Sequence, residues 1–220
     1  MFDNIAPLLP EIGLAIGQTL FMVGVSVTIA ILFGTPLGIL AFISGKGQLW
    51  EQPLLHKVLN SVINLVRSFP FIILLVALIP FTRFLLGTTV GPVAVIVPLS
   101  VAAIPYFARL VEQSLREVPR GVIEAAEALG ASIPKIIWKF VLVEARSGIV
   151  LGATVLAVSF ISYSAMAGVV GGGGIGDIAI RFGYYRFQTD VMIFTIFILI
   201  VLVQIVQYTG SRLAGKLDKR

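Results

Sequence analysis

The chain has 220 residues, 58% of them hydrophobic and only 12% charged, with a mean hydropathy of +1.03; an ordinary soluble domain carries roughly 25% charged residues. That balance excludes a soluble domain and places the chain in a bilayer, where its net charge of +5 follows from loop topology and attraction to anionic membrane lipid, with no nucleic acid required. Cysteine is absent and His56 stands alone, which excludes a disulfide framework, a thiolate metal site and a histidine cluster and leaves His56 as a solvated interfacial side chain.

Apolar runs of about 20 residues, enough to cross about 30 Å of hydrocarbon, recur without the ten-residue alternation of barrel strands. The predicted fold class is therefore all-α, a polytopic membrane helix bundle of five spans forming one transmembrane domain over 1–220. The first span, 13–43, would be about 46 Å long as a straight helix, and Gly34, Pro36 and Gly38 are placed to bend it. No Lys or Arg precedes it and it exceeds a secretory apolar core, so it reads as a span and not a signal peptide. The second and third spans are predicted at 61–81 and 90–108.

Segment 112–146, between the third and fourth spans, reads as two short helices. Pro119 suits a first helical turn and Gly130 a left-handed end. Ser132 is placed to cap the second helix, with Pro134 in its opening turn. Ile133, Ile136, Ile137 and Phe140 share one face of that helix, and Lys135 and Lys139 another. In the first helix, Ala125, Ala126 and Ala128 allow close approach of a partner, while Glu124 and Glu127 offer carboxylates to a basic one. Residue types alone leave two readings open, a docking element and a plain interfacial hairpin whose alanines reflect helix propensity.

The fourth span, 149–170, is crowded with Gly152, Ala153, Ala157, Ser159, Ser162, Ser164, Ala165 and Gly168, which close helix packing explains. If two copies surround a two-fold axis to make a ten-helix path, Ser159, Tyr163, Ser164 and Met166 become candidates for lining or gating it. Gly171 to Gly176 then read as a tight re-entrant turn and close helix approach, since a nucleotide cradle is implausible on the outer side. The fifth span is predicted at 191–210.

Orientation follows the basic residues, which mark cytoplasmic loops. With the amino terminus outside and the carboxyl terminus cytoplasmic, 13 of the 16 Lys and Arg lie inside, Lys219 and Arg220 among them. Arg83, Arg181 and Arg186 remain outside, with the acidic Asp3 and Glu11 near the amino terminus. No ionisable residue falls within the span cores, which argues against proton or ion coupling at midplane and so against a gradient-driven carrier. Gly45-Lys46-Gly47 and Gly215-Lys216-Leu217 lack the spacing and hydroxyl of a phosphate-binding loop. No catalytic or metal-ligating set is predicted, and any ATP hydrolysis must come from another chain.

Glu124-Ala125-Ala126, Gly130 six positions after the glutamate, and Phe140-Val141-Leu142 together resemble the signature loop of permease subunits of ATP-binding cassette importers. The family pattern usually closes with leucine and proline; here Leu142 is followed by Val143. Arg67 to Leu75, Ile79-Pro80-Phe81-Thr82-Arg83, Ser162 to Gly168, Gly171 to Asp177 and Phe182-Gly183-Tyr184 resemble the methionine-uptake branch of that family, and the likeness runs from about residue 19 onward. The resemblance implies a homodimeric inner-membrane permease with no cofactor of its own, driven by a cytoplasmic ATPase dimer that binds ATP. It implies that Glu124, Ala125, Ala126 and Gly130 couple to that ATPase. It also implies an extracytoplasmic methionine-binding protein received by an outer surface carrying Arg181, Tyr184, Tyr185 and Arg186, although for the tyrosines an aromatic interfacial belt reads equally well. Sister branches carry other small solutes, such as other amino acids, osmolytes or phosphonates, on the same scaffold; a channel or gradient-driven carrier is the remaining alternative.

Overall fold

A computed structural model describes residues 4–218; Asp3, Lys219 and Arg220, used above for orientation, lie outside them. Among the described residues all regular structure is helical: α1 (Leu9–Ile43), α2 (Pro53–Ser68), α3 (Phe71–Ala77), α4 (Ile79–Leu86), α5 (Pro92–Arg116), α6 (Arg120–Ala128), α7 (Ile133–Lys135), α8 (Leu142–Ala167), α9 (Gly174–Ile178) and α10 (Thr189–Leu217). Four helical stretches are long and apolar enough to cross a membrane, and the pair α2–α3 adds a fifth if counted together.

That pair departs from the predicted 61–81 span. The chain turns by 99° between α2 and α3, because Pro70 cannot continue the hydrogen bonding of α2 and drives Phe69 to an extended conformation.

The centre of the molecule is the crossing of α1 with α5 and of α5 with α8. Met22, Leu99, Phe107, Val111, Leu156 and Phe160 are fully or almost fully buried there. α1 continues through Pro36, and the flanking glycines serve close packing. A Cβ on Gly38 would stand 2.5 Å from the Ala108 carbonyl oxygen and 2.8 Å from Val111 Cβ; one on Gly34 would stand 2.8 Å from the Ile104 carbonyl oxygen. Small residues thus let two backbones meet, which in a bilayer supplies van der Waals contact that hydrophobicity cannot.

At one end of the bundle, the start of α8 is tied to the end of α10. Arg146 Nε donates to the Leu217 carbonyl at 3.0 Å and Ser147 Oγ to the Ala214 carbonyl at 3.1 Å. His56, expected in solvent, is half-buried at this end, with Nδ1 3.0 Å from the Ala41 carbonyl oxygen. It satisfies one of the carbonyls left open by the end of α1.

The opposite end is built on glycine. Gly171, Gly173 and Gly174 take positive φ, and the chain doubles back into α9. Gln18 Oε1 accepts the Gly174 N–H at 2.8 Å and Thr19 Oγ1 the Ile175 N–H at 3.0 Å, so α1 caps α9. Gly168 and Gly176 lie where α8 and α9 touch backbone to backbone. This is the re-entrant turn that the glycine cluster predicts.

Candidate coupling loop and solute path

α6 is a nine-residue amphipathic helix held against the bundle by its inner face. Ala126 is 1% exposed and, with partly buried Val122 and Ile123, joins the cluster that contains Leu115, Ile136, Ile137 and Val141. The helix ends as Gly130 predicts. Gly130 has φ +70; its N–H donates to the Glu127 carbonyl at 2.8 Å, and the Ala131 N–H to the Ala126 carbonyl at 3.1 Å. That double bond pattern is a Schellman motif.

The outer face of α6 presents Glu124, Ala125, Glu127 and Ala128, and Leu129 follows at 82% exposure. A groove lined by Gly47, Leu49, Arg120, Ile123, Glu124 and Glu127 runs between α6 and the α1–α2 connection. Glu124, Ala125 and Gly130 therefore stand together on an open surface, whereas Ala126 faces inward as packing. Leu129, unremarked in the sequence, is the most exposed apolar side chain of the loop.

The second short helix predicted in 112–146 is not separate. α7 passes through a π-helical stretch, Ile136–Val141, directly into α8, and Val143 sits inside continuous helix. Ile136 and Ile137 are buried against α6 while Lys135, Trp138 and Lys139 are exposed. α6 thus packs, through Ile136, Ile137 and Val141, on a helix that runs on to Met166, about 38 Å beyond Val141 at 1.5 Å per residue.

The four candidate path residues divide. Met166 is exposed and Ser159 half-buried, on one stripe of α8 with the exposed Leu151, Val155 and Ser162. Tyr163 is half-buried and stacked on Phe71 of α3, centroids 4.7 Å apart and planes 4° from parallel. Ser164 is buried, and its Oγ donates to the Ile161 carbonyl at 2.7 Å within its own helix, so it does not line a path in this conformation.

Two charged features went unread in the sequence. Glu112, 1% exposed, accepts from Arg109 NH1 on Oε2 at 2.6 Å and from Arg116 NH2 on Oε1 at 2.6 Å. Arg109 NH2 also donates to Asn64 Oδ1 of α2 at 2.9 Å. The spacing Arg109, Glu112, Arg116 on one helical face is the signal that could have found this triad. The second is Arg67, whose guanidinium lies 5.7 Å from the Tyr106 ring centre. It stands at the end of α2, inside the predicted 61–81 span and next to the 99° turn.

At the glycine-built end, Arg181 is committed within the chain. Its Nε donates to Asp177 at 2.7 Å and its NH2 to Glu11 at 2.6 Å. Burial alone would lower its pKa, but those hydrogen bonds and charges prevail and raise it. Arg186 lies 4.5 Å from the Phe182 ring centre. Tyr184, Tyr185 and Phe187 are left exposed.

A membrane bundle whose short amphipathic helix packs against the stretch that leads into α8 has the architecture of a transport permease. Residues 34–219 match the model of the binding-protein-dependent transport system inner membrane component family, and the chain belongs to that family. It is a multi-pass inner-membrane protein. The chain is 46% identical over 203 residues to the probable D-methionine transport system permease protein MetI of Vibrio cholerae, covering 92% of this chain and 90% of that one. It is 42% identical over 182 residues to the methionine import system permease protein MetP of Bacillus subtilis, covering 82% of each. A chain from a crystal structure of the inward-facing MetNI methionine ABC transporter superposes with a TM-score of 0.95 at 39% identity, covering 97% of this chain and 99% of that one.

Proposed function

We propose that this chain is the permease subunit of an ATP-binding cassette importer that carries methionine across the inner membrane. It acts as one transmembrane domain, two copies of which enclose the solute path. A separate pair of cytoplasmic ATPases supplies the energy, so the chain itself holds neither ATP nor another cofactor. An extracytoplasmic binding protein delivers the solute to the end that carries Tyr184, Tyr185, Arg186 and Phe187. The amino terminus is outside and the carboxyl terminus cytoplasmic.

The observation that carries this reading is the arrangement of α6. Its inner face is locked into the core through Ala126, while Glu124, Ala125, Glu127 and Leu129 are offered outward at the basic end. An exposed helix with so small an outer face is suited to a groove of a partner. The methionine permease relatives and the 0.95 superposition support the solute and the assembly. In the resulting cycle, ATPase closure moves α6, α6 moves α8 through Ile136 and Val141, and the path opens outward; hydrolysis resets it.

The test is labelled-methionine uptake by proteoliposomes containing this chain, its ATPase and its binding protein. Uptake is expected only with ATP and both partners. Ala125→Arg, which puts a long cation on the docking face without touching the core, should reduce uptake by at least tenfold with membrane insertion intact. Unchanged ATP-driven uptake in that variant removes the docking role; ATP-independent uptake by the chain alone removes the importer reading. Competition by unlabelled solutes tests the choice of methionine over other small solutes.

A further inference from the structure

Arg67 occupies a place where an arginine is costly. It is the penultimate residue of α2, and its side chain is exposed. If α5 enters the hydrocarbon near Pro92, Tyr106, beneath that guanidinium, lies about 21 Å along the helix at 1.5 Å per residue, inside a layer about 30 Å thick. Charged side chains at such depth face a bundle interior or a water-filled cavity, since lipid cannot solvate them.

The backbone beside it leads to the same place. Ser68, Phe69 and Pro70, between the end of α2 and the start of α3, are all exposed. Irregular backbone in contact with lipid would leave amide groups without partners, so it persists at this depth only against protein or water. The α2–α3 break therefore fronts either a second copy of the chain or an aqueous space, and the exposed guanidinium of Arg67 beside it favours the aqueous one.

Among the described residues no carboxylate neutralises Arg67. Both oxygens of Glu112 are taken by Arg109 and Arg116, and among the described residues Arg67 has an aromatic ring and no carboxylate for a partner. The ring is itself held in a chain of contacts: Tyr106 meets Phe160 edge-on at 6.2 Å, Phe160 meets Tyr163 at 5.0 Å, and Tyr163 stacks on Phe71. This keeps the guanidinium at the break and opposes its snorkelling to the surface.

We propose that Arg67 is a cation of the solute path that receives the carboxylate of the passing amino acid. This deepens the importer reading and rests on it. The guanidinium fork matches a carboxylate, stays charged at every physiological pH, and turns away cations. Because it is wet, its hold is weak enough to release.

The chain lacks cysteine, so Arg67→Cys carries a single thiol for this subunit. In nanodiscs holding the complete transporter, a charged, water-soluble thiol reagent should modify Arg67→Cys within tenfold of the rate at Lys216→Cys, an exposed position outside the docking loop. Ile200→Cys, on the exposed apolar face of α10, should react at least a hundredfold more slowly. A rate at position 67 as slow as at position 200 overturns the aqueous placement. In proteoliposomes, Arg67→Gln should lower methionine uptake at least tenfold, with binding-protein-stimulated ATP hydrolysis within twofold of the parent. Arg67→Lys should keep a third or more of the uptake. Uptake by Arg67→Gln within twofold of the parent, or hydrolysis falling in step with uptake, overturns the carboxylate role. A parent protein that imports no methionine sinks the importer reading, and the carboxylate role with it, whatever the thiol at position 67 reports.

Discussion

Glu112 shows how a membrane protein keeps a carboxylate out of water. Each oxygen takes one guanidinium, three residues before it and four after it on the same helix, so the charge is matched without a partner from another element. Removing one member of such a set strands the others, at a cost of about 3–5 kcal/mol for a fully buried pair. Arg116 is 54% exposed, which places Glu112→Gln near about 3 kcal/mol; thermal melting in detergent should register a clear loss. Arg116→Gln leaves the Glu112–Arg109–Asn64 chain standing and should cost less than about 1 kcal/mol. Equal melting for both variants and the parent would deny the triad a structural role. At this scale the glycine of the coupling loop was legible, because a left-handed helix end admits few residues. The inward turn of Ala126 was also written in the spacing of Val122, Ile123 and Ala126, but alanines at 125, 126 and 128 hide which face is buried.

Helices were legible as elements wherever hydropathy alone defines them. α1, α5, α8 and α10 each contain the core of a predicted span. The predicted 61–81 span is broken within its length, because hydropathy does not register direction: Phe69-Pro70 lies inside an apolar run, yet the chain turns by 99° there. The second amphipathic helix was read as separate because Lys135 and Lys139 mark a surface, while its inner face simply continues into α8. Packing between elements is where glycine matters. Gly38→Ala would push a methyl group into the Ala108 carbonyl and Val111, so α1 and α5 must part, at about 1–3 kcal/mol. Gly24→Ala on the same helix meets nothing within 4 Å and should change stability by no more than about 1 kcal/mol, in the favourable direction of helix propensity. Melting the two variants side by side separates the glycines of α1 by contact and not by composition. A Gly38→Ala protein as stable as Gly24→Ala would mean the crossing is looser than its contacts describe.

Across the whole molecule, the two ends of the bundle differ in kind, and that difference bears on how the chain inserts. One end gathers α6, the start of α8 and the end of α10, with Lys46, Arg120, Lys135, Lys139, Arg146 and Lys216 in or beside it. The other gathers the glycine turn, Glu11, Asp177 and Asp190, with Arg181 already neutralised by Glu11 and Asp177. Positive charge resists translocation during insertion, whereas acidic groups impose little, so the first end is expected in the cytoplasm. A motor that hydrolyses ATP is of use only there, and α6 must therefore share that side. Single thiols make the expectation sharp in a chain without cysteine: in vesicles holding this chain without its ATPase or binding protein, a membrane-impermeant reagent should label Leu129→Cys when they are inside-out and Tyr185→Cys when they are right-side-out, with the converse pair unlabelled. The opposite pattern would put the docking helix on the side without ATP, and neither the coupling role of Glu124 and Ala125 nor the inward direction of transport would survive it.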